Sequence, residues 1–228
     1  SGGSSGSTVS LLYAIAHPDR VLAMSIHGIT FLTREEIRWT GWVSTDIWAD
    51  EWHRLKNLKD EKGQRILSKE DVSSFDSFVA AGYREVVQKK NRKFAFSVLN
   101  LGMRQTQIDP HGPEINIGGD GAFRMAQIIW HMWYHRFFLP ENYVTKNLHK
   151  IKDIPGFIEA GRYDTNTVLK SAWELHLAWP RASLLIYTGA HADTGIYNRW
   201  TFRVLESALR RWQREGEKNL VITKEDFQ

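Results

Sequence analysis

The sequence predicts an α/β fold, a parallel sheet with flanking helices, interrupted by a long helical insertion. Three observations predict it. A glycine-serine turn at residues 1–8 runs straight into a helical apolar pattern and then a short apolar strand. A tryptophan-rich stretch with helical spacing follows. Beyond it, strand-like and helix-like segments alternate again. The expected organisation is a core over 1–30, a helical cap over 31–150 and the returning core over 151–228.

The elements justify this in order. Ser1-Gly2-Gly3-Ser4-Ser5-Gly6-Ser7-Thr8 is the turn, and Val9, Leu12, Tyr13 and Ala16 form one stripe of the helix behind it, which Pro18 stops. Val21 to Ile26 reads as a short buried strand. Six of the ten tryptophans (Trp39, Trp42, Trp48, Trp52, Trp130, Trp133) lie between Phe31 and Lys150. Within that stretch, Ser68 and Asp71 resemble a capping box opening a helix with Val72, Phe75, Val79, Tyr83 and Val86 at three/four spacing. Breakers at Asp109-Pro110-His111-Gly112-Pro113 and Gly118-Gly119-Asp120-Gly121 precede a second helix, from about Ala122 to Phe137. Then come a strand at Gly156–Ala160, a helix from Val168 to Trp179 ended by Pro180, and a strand at Ser183–Tyr187. A last helix carries Tyr197, Trp200, Val204, Leu205, Ala208 and Trp212.

Composition narrows the function. With 228 residues, 42% of them hydrophobic, the chain can bury a sizeable core. No apolar run approaches the roughly eighteen residues of a membrane span, so the expectation is a soluble protein without a membrane partner, and the lack of cysteine fits a reducing, cytoplasmic location. Net charge is only +4. The cluster Lys89-Lys90-Asn91-Arg92-Lys93 reads as a solvated helix end rather than a nucleic-acid surface. The lack of cysteine excludes disulfides, thiolate metal sites and a thiol nucleophile. His131 and His135, four apart, could share a metal, but no third ligand is evident, and packing beside Trp130 and Trp133 is the expectation. No cofactor is expected.

The opening turn carries the chemistry. Gly2-Gly3-Ser4-Ser5-Gly6 matches G-x-S-x-G, the nucleophile elbow of α/β-hydrolases. Such a turn strains the serine, demands small residues two positions either side, and presents Oγ at a helix N-terminus. A serine nucleophile needs a base, and the base needs an orienting carboxylate. In this fold they follow in the order serine, acid, histidine, each after a strand. Asp164 follows the strand at 156–160, and His191 follows the strand at 183–187.

Longer stretches resemble one family, the prolyl aminopeptidases (proline iminopeptidases) of the α/β-hydrolase fold. They are the turn with Tyr13-Ala14-Ile15-Ala16-His17-Pro18-Asp19-Arg20-Val21, then Ile154-Pro155-Gly156, Gly161-Arg162-Tyr163-Asp164, and Ala172-Trp173-Glu174-Leu175-His176-Leu177-Ala178-Trp179-Pro180. The resemblance implies the C-terminal part of that sheet with a helical cap inserted, Ser4 as nucleophile, Asp164 as orienting acid and His191 as general base. Two departures stand out. The family usually has Trp after the nucleophile; here it is Ser5, whose N–H can still serve an oxyanion hole. The family binds a substrate's free amine with two cap glutamates, and in register with those segments stand Leu99-Asn100 and Ile129-Trp130-His131. Asn100 and Ile129 replace both carboxylates, with Trp130 beside them; Asp109, Glu114 or Asp120 are the acids that could substitute. The strands and the His-Gly-Gly-Pro loop that the family places before the elbow are not in this sequence. An N-terminal segment or a second chain is therefore expected to complete the hydrolase sheet. The expected function is a serine hydrolase that cleaves an amide or ester of a small molecule or peptide through an acyl-enzyme. Natural-product tailoring by hydrolysis or acyl transfer, and silent ligand binding, are the alternatives.

Overall fold

In the computed structural model, residues 1–107, 117–193, 203, 206, 207, 210 and 211 are described. The residues expected on the last helical stripe lie outside them, as do Asp109 and Glu114. Two units form, one from Ser1–Phe31 and the residues from Asn142 onward, the other from Leu32–Glu141.

The first unit begins with β1 (Gly2–Gly3), α1 (Ser5–Ala16) and β2 (Met24–His27). Pro18 stops α1 as the pattern requires, and Pro18–Arg20 form one 3₁₀ turn, so β2 starts three residues later than the apolar run suggested. The core-facing stripe of α1 is Ser7, Thr8, Leu11, Ala14 and Ile15, whereas Val9 and Tyr13 of the expected stripe face solvent. The reason is local. Ser7 Oγ donates to the Ser4 carbonyl and Thr8 Oγ1 to the Thr30 carbonyl, so two small hydroxyl residues are satisfied inside and turn the helix with them.

The second unit holds α2 (Arg34–Gly41), α3 (Ala49–Lys56), α4 (Phe75–Gly82), α5 (Arg92–Arg104) and α6 (Gly119–Tyr134). Ser68 and Asp71 make both bonds of a capping box, Ser68 N–H to Asp71 Oδ2 at 2.9 Å and Asp71 N–H to Ser68 Oγ at 3.2 Å. They close an isolated turn, however. The helix itself starts at Phe75, where Ser74 accepts from Ser77 N–H. Its core is aromatic: Trp42, Trp52, Phe78 and Trp130 meet edge-on or tilted with centroids 5.0–5.9 Å apart. Gly82 lets this happen, since a Cβ there would stand 2.0 Å from the Trp130 ring. Buried Glu85 is held by Arg84, Lys89 and Asn91. With Lys89 on Glu85, Arg92 on Asp120 and Lys93 on the Lys59 carbonyl, most of the basic cluster is spent on local partners. His131 and His135 lie among Tyr83, Tyr134 and Phe138, their own rings 4.5 Å apart. The two ends of the unit are tied by a bond from Arg34 N–H to Glu141 Oε1, 3.1 Å. Among the described residues no helix is long and apolar enough to cross a membrane.

The chain re-enters the first unit through α7 (Tyr143–Asn147), β3 (Gly156–Gly161), α8 (Leu169–Ala178) and β4 (Ala182–Tyr187). The sheet runs β1-β2-β3-β4, all parallel, with Ile26 opposite Ile158 and Ile158 opposite Leu184. Side chains alternate across it. Met24, Ile26, Ile158, Ala160 and Ala182 pack with Leu11, Ile15, Leu175 and Trp179 of the helices, and with Val144 and Leu148, although the expected boundary at 150 puts those two in the cap. The other face presents Ser25, His27, Phe157 and Glu159. Every residue of β3 is buried, as a central parallel strand demands.

Candidate active site

The site grows from the end of β1. Ser4 sits at φ 54°, ψ −126°, a conformation that costs a side-chain-bearing residue about 1–3 kcal/mol. Two bonds hold it there: Ser4 N–H to the His27 carbonyl and Ser7 N–H to the Ser4 carbonyl, each 2.9 Å. A Cβ on Gly2 would stand 2.2 Å from the Gly6 carbonyl oxygen, so the turn closes only over glycine there. At Gly6 a Cβ would meet open space, so the expected demand for a small residue falls on one side of the serine only. Ser5 is the first residue of α1, and its N–H is among those a helix leaves without an internal partner.

Asp164 follows β3 and is locked by its own loop. Asn166 and Thr167 N–H groups both donate to Oδ1 at 2.8 Å, and Thr167 Oγ1 donates to Oδ2 at 2.7 Å. His191 follows β4, with Nδ1 2.8 Å from Asp164 Oδ2 and 3.1 Å from Thr167 Oγ1. The two loops are stitched together, Arg162 N–H to the Tyr187 carbonyl at 2.8 Å and Tyr163 N–H to the Gly189 carbonyl at 3.0 Å. Nδ1 being engaged, Nε2 is the ring nitrogen left for a reacting partner. Among the described residues no hydrogen bond joins Ser4 Oγ to that ring. The two meet at Gly28 instead. A Cβ there would lie 2.8 Å from His191 Cε1 and 3.3 Å from Ser4 N, and its φ of +57° lies in the left-handed region that favours glycine.

Two further groups stand in the row Gly3, His27, Glu159, Leu185 across the four strands. Burial and the neighbouring His191 charge hold the His27 imidazole below its ordinary range, with Asp164 opposing. Glu159 is 1% exposed, neither carboxyl oxygen has a hydrogen-bond partner among the described residues, and burial pushes it up to about 7. Neither residue, nor Thr167, stood out in the sequence; only the Asp-x-x-Thr spacing of a side-chain-capped turn could have marked Thr167.

The expected cap contacts lie in the other unit. Asn100 Oδ1 accepts from Ile117 N–H at 3.0 Å, Ile129 packs against the aromatic core, and Trp130 is buried within it. Asp120 pairs with Arg92 at 2.9 Å. Among the described residues no group of three or more potential ligands could hold a metal.

No family model matches the chain. A probable proline iminopeptidase of Leptolyngbya boryana is 31% identical over 200 residues, which is 83% of this chain and 58% of that protein. The proline iminopeptidase of Arabidopsis thaliana is 29% identical over 199 residues, 84% of this chain and 50% of that protein. The chain thus spans between half and three fifths of the length of these curated relatives. Among solved structures, an esterase from Exiguobacterium antarcticum superposes with a TM-score of 0.52 at 13% identity, covering 92% of this chain and 65% of that one. That likeness shows the fold. Parallel strands, a strained serine after the first, and similar sequences named as proline iminopeptidases lead to the same place: the chain has the α/β-hydrolase fold and is a homologue of the proline iminopeptidases.

Proposed function

We propose that the protein is a serine hydrolase that cleaves an amide or ester bond through an acyl-enzyme. The carrying observation is the Asp164–His191 pair, 2.8 Å long, facing across Gly28 a serine held in a strained turn. In this reading Ser4 Oγ attacks the substrate carbonyl as His191 Nε2 takes its proton. Asp164 fixes the ring through Nδ1 and stabilises the imidazolium that forms. The Ser5 N–H supplies one donor to the oxyanion. His191 then returns its proton to the leaving group, and water repeats the sequence to free the acid. No cofactor enters these steps.

The substrate in this proposal is a small molecule or peptide with a neutral acyl part. Asn100 and Ile129 stand where the resembling family has carboxylates, and an ammonium brought out of water unpaired costs several kcal/mol. Trp130 belongs to the buried aromatic core against which Ile129 packs. A substrate-binding role for Asn100, Ile129 and Trp130 belongs to the same proposal. So does completion of the sheet beyond β1 by an N-terminal segment or a second chain, since β1 pairs only with β2 among the described residues. The test is two-fold. A fluorophosphonate should label Ser4, and should not label Ser4→Ala. In the complete enzyme kcat/KM should be higher on an uncharged acyl analogue than on proline p-nitroanilide, by about a hundredfold if roughly 3 kcal/mol of amine binding is missing. Preference for the free amine would reject the specificity, and lack of labelling would reject the chemistry.

A further inference from the structure

We propose that His27 is a positioning residue for the nucleophile turn: its imidazole is an uncharged wedge beneath Gly3 that keeps Ser4 at its spacing from His191. The inference rests on the reading of Ser4, Asp164 and His191 given above.

The wedge is visible in the packing. A Cβ on Gly3 would stand 2.0 Å from His27 Nε2, 2.3 Å from Cε1 and 2.8 Å from Cδ2, so the ring already fills the space a side chain would take. The same residue's carbonyl accepts the Ser4 N–H. The next residue, Gly28, lies bare against the His191 ring. Residues 27 and 28 therefore touch the nucleophile turn from below and the base from beside, and a shift of either changes the gap between them.

The wedge must also stay neutral. His191 becomes a cation when it takes the serine proton, and a second cation next to it would oppose that step. The groups that bear on the ring are His191, Asp164 and, in register on β3, Glu159. Asp164 already carries His191 on Oδ2 and three further donors from its own loop. Burial pushes Glu159 up to about 7, so below neutral pH it is mostly uncharged and draws little charge onto His27. Among the described residues the His27 ring makes no hydrogen bond that would favour its charged form.

Four variants of the full chain test this. His27→Ala should lower kcat about tenfold or more with KM nearly kept, as misplacement of a reacting group does. His27→Phe, which restores a ring, should recover most of the loss. In a Gly3→Ala/His27→Ala double variant the new Cβ re-occupies the space, and kcat should exceed that of His27→Ala alone. His27→Lys should lower kcat and move the acid limb of kcat/KM to lower pH, because a fixed charge opposes protonation of His191. A purely structural role would scale the plateau and leave the limb in place. A wild-type kcat in His27→Ala, or an unmoved limb in His27→Lys, overturns the proposal. If the variants fail to fold, imidazole NMR decides: the His27 ring should titrate at higher pH in His191→Gln than in the wild type, and an unchanged titration overturns the coupling. Absence of fluorophosphonate labelling in the wild type would reject the underlying triad, whereas the NMR readout bears on His27 without any turnover.

Discussion

Replacing Glu159 by methionine should stabilise the protein, and by an amount that depends on pH. Methionine keeps an unbranched chain of similar reach, so the strand interior stays filled. In the unfolded chain the carboxyl has its ordinary 4.5, and in the fold it is pushed up to about 7. Below pH 4.5 both states are protonated and ionisation costs nothing. Between the two values folding must take up a proton, and above about 7 the full penalty applies. At about 1.4 kcal/mol per pH unit, that penalty is roughly 3 kcal/mol at pH 8.5 and about 1 kcal/mol at pH 5. Removing the unpartnered carboxyl adds a further gain at every pH, so only the difference between the two conditions isolates the ionisation. Urea denaturation followed by tryptophan fluorescence at pH 5 and pH 8.5, wild type against variant, measures both. The gain at pH 8.5 should exceed that at pH 5 by about 2.5 kcal/mol. Equal gains would mean that the carboxyl ionises freely in the fold, and the burial argument would fail.

Thr167→Val should slow fluorophosphonate labelling of Ser4 about tenfold, because one charge-assisted bond to Asp164 Oδ2 and a contact to His191 are lost together; an unchanged labelling rate would reject the role of the threonine. Gly82→Ala should cost about 1–3 kcal/mol, since its Cβ must displace the Trp130 indole from a packed aromatic core. A thermal melt within a degree of the wild type would show that the ring gives way freely.

How much of this was legible beforehand differs by element. β3 and β4 are mostly apolar runs that follow Pro155 and Pro180, and Asp164 and His191 could be named from their places behind those strands; Asp164 Oδ2 and His191 Nδ1 lie 2.8 Å apart. The strained Ser4 follows from its glycine before the turn. Ser68 and Asp71 misled about where α4 begins, because the two bonds of a capping box are satisfied by a single turn and do not require a helix after it. The buried stripe of α1 was misread because Ser7 and Thr8 face inward, where their hydroxyls find carbonyls that no sequence pattern reveals. Glu159 and His27 were hidden for a related reason. A charged residue inside an apolar run suggests a solvent-facing side, but a strand buried on both faces has none. The neighbours of His27 come from β1 and β3, and those are set by register, not by proximity along the chain.

The hydrogen bond between Arg34 N–H and Glu141 Oε1 has a consequence for how the chain folds. The central ladder joins Met24 to Gly156, so forming it from an open chain closes a loop of roughly 130 residues. Most of that loop is the second unit, which has its own aromatic core and its two ends fastened to each other. Once this unit has folded, the flexible span still to be closed shrinks to roughly 25 residues, which lowers the entropic cost of closure by about 1.5 kcal/mol. Sheet assembly then accelerates by roughly an order of magnitude over a chain whose insertion is still open. The insertion acts as a clasp, bringing β2 and β3 within reach of each other before either has a partner.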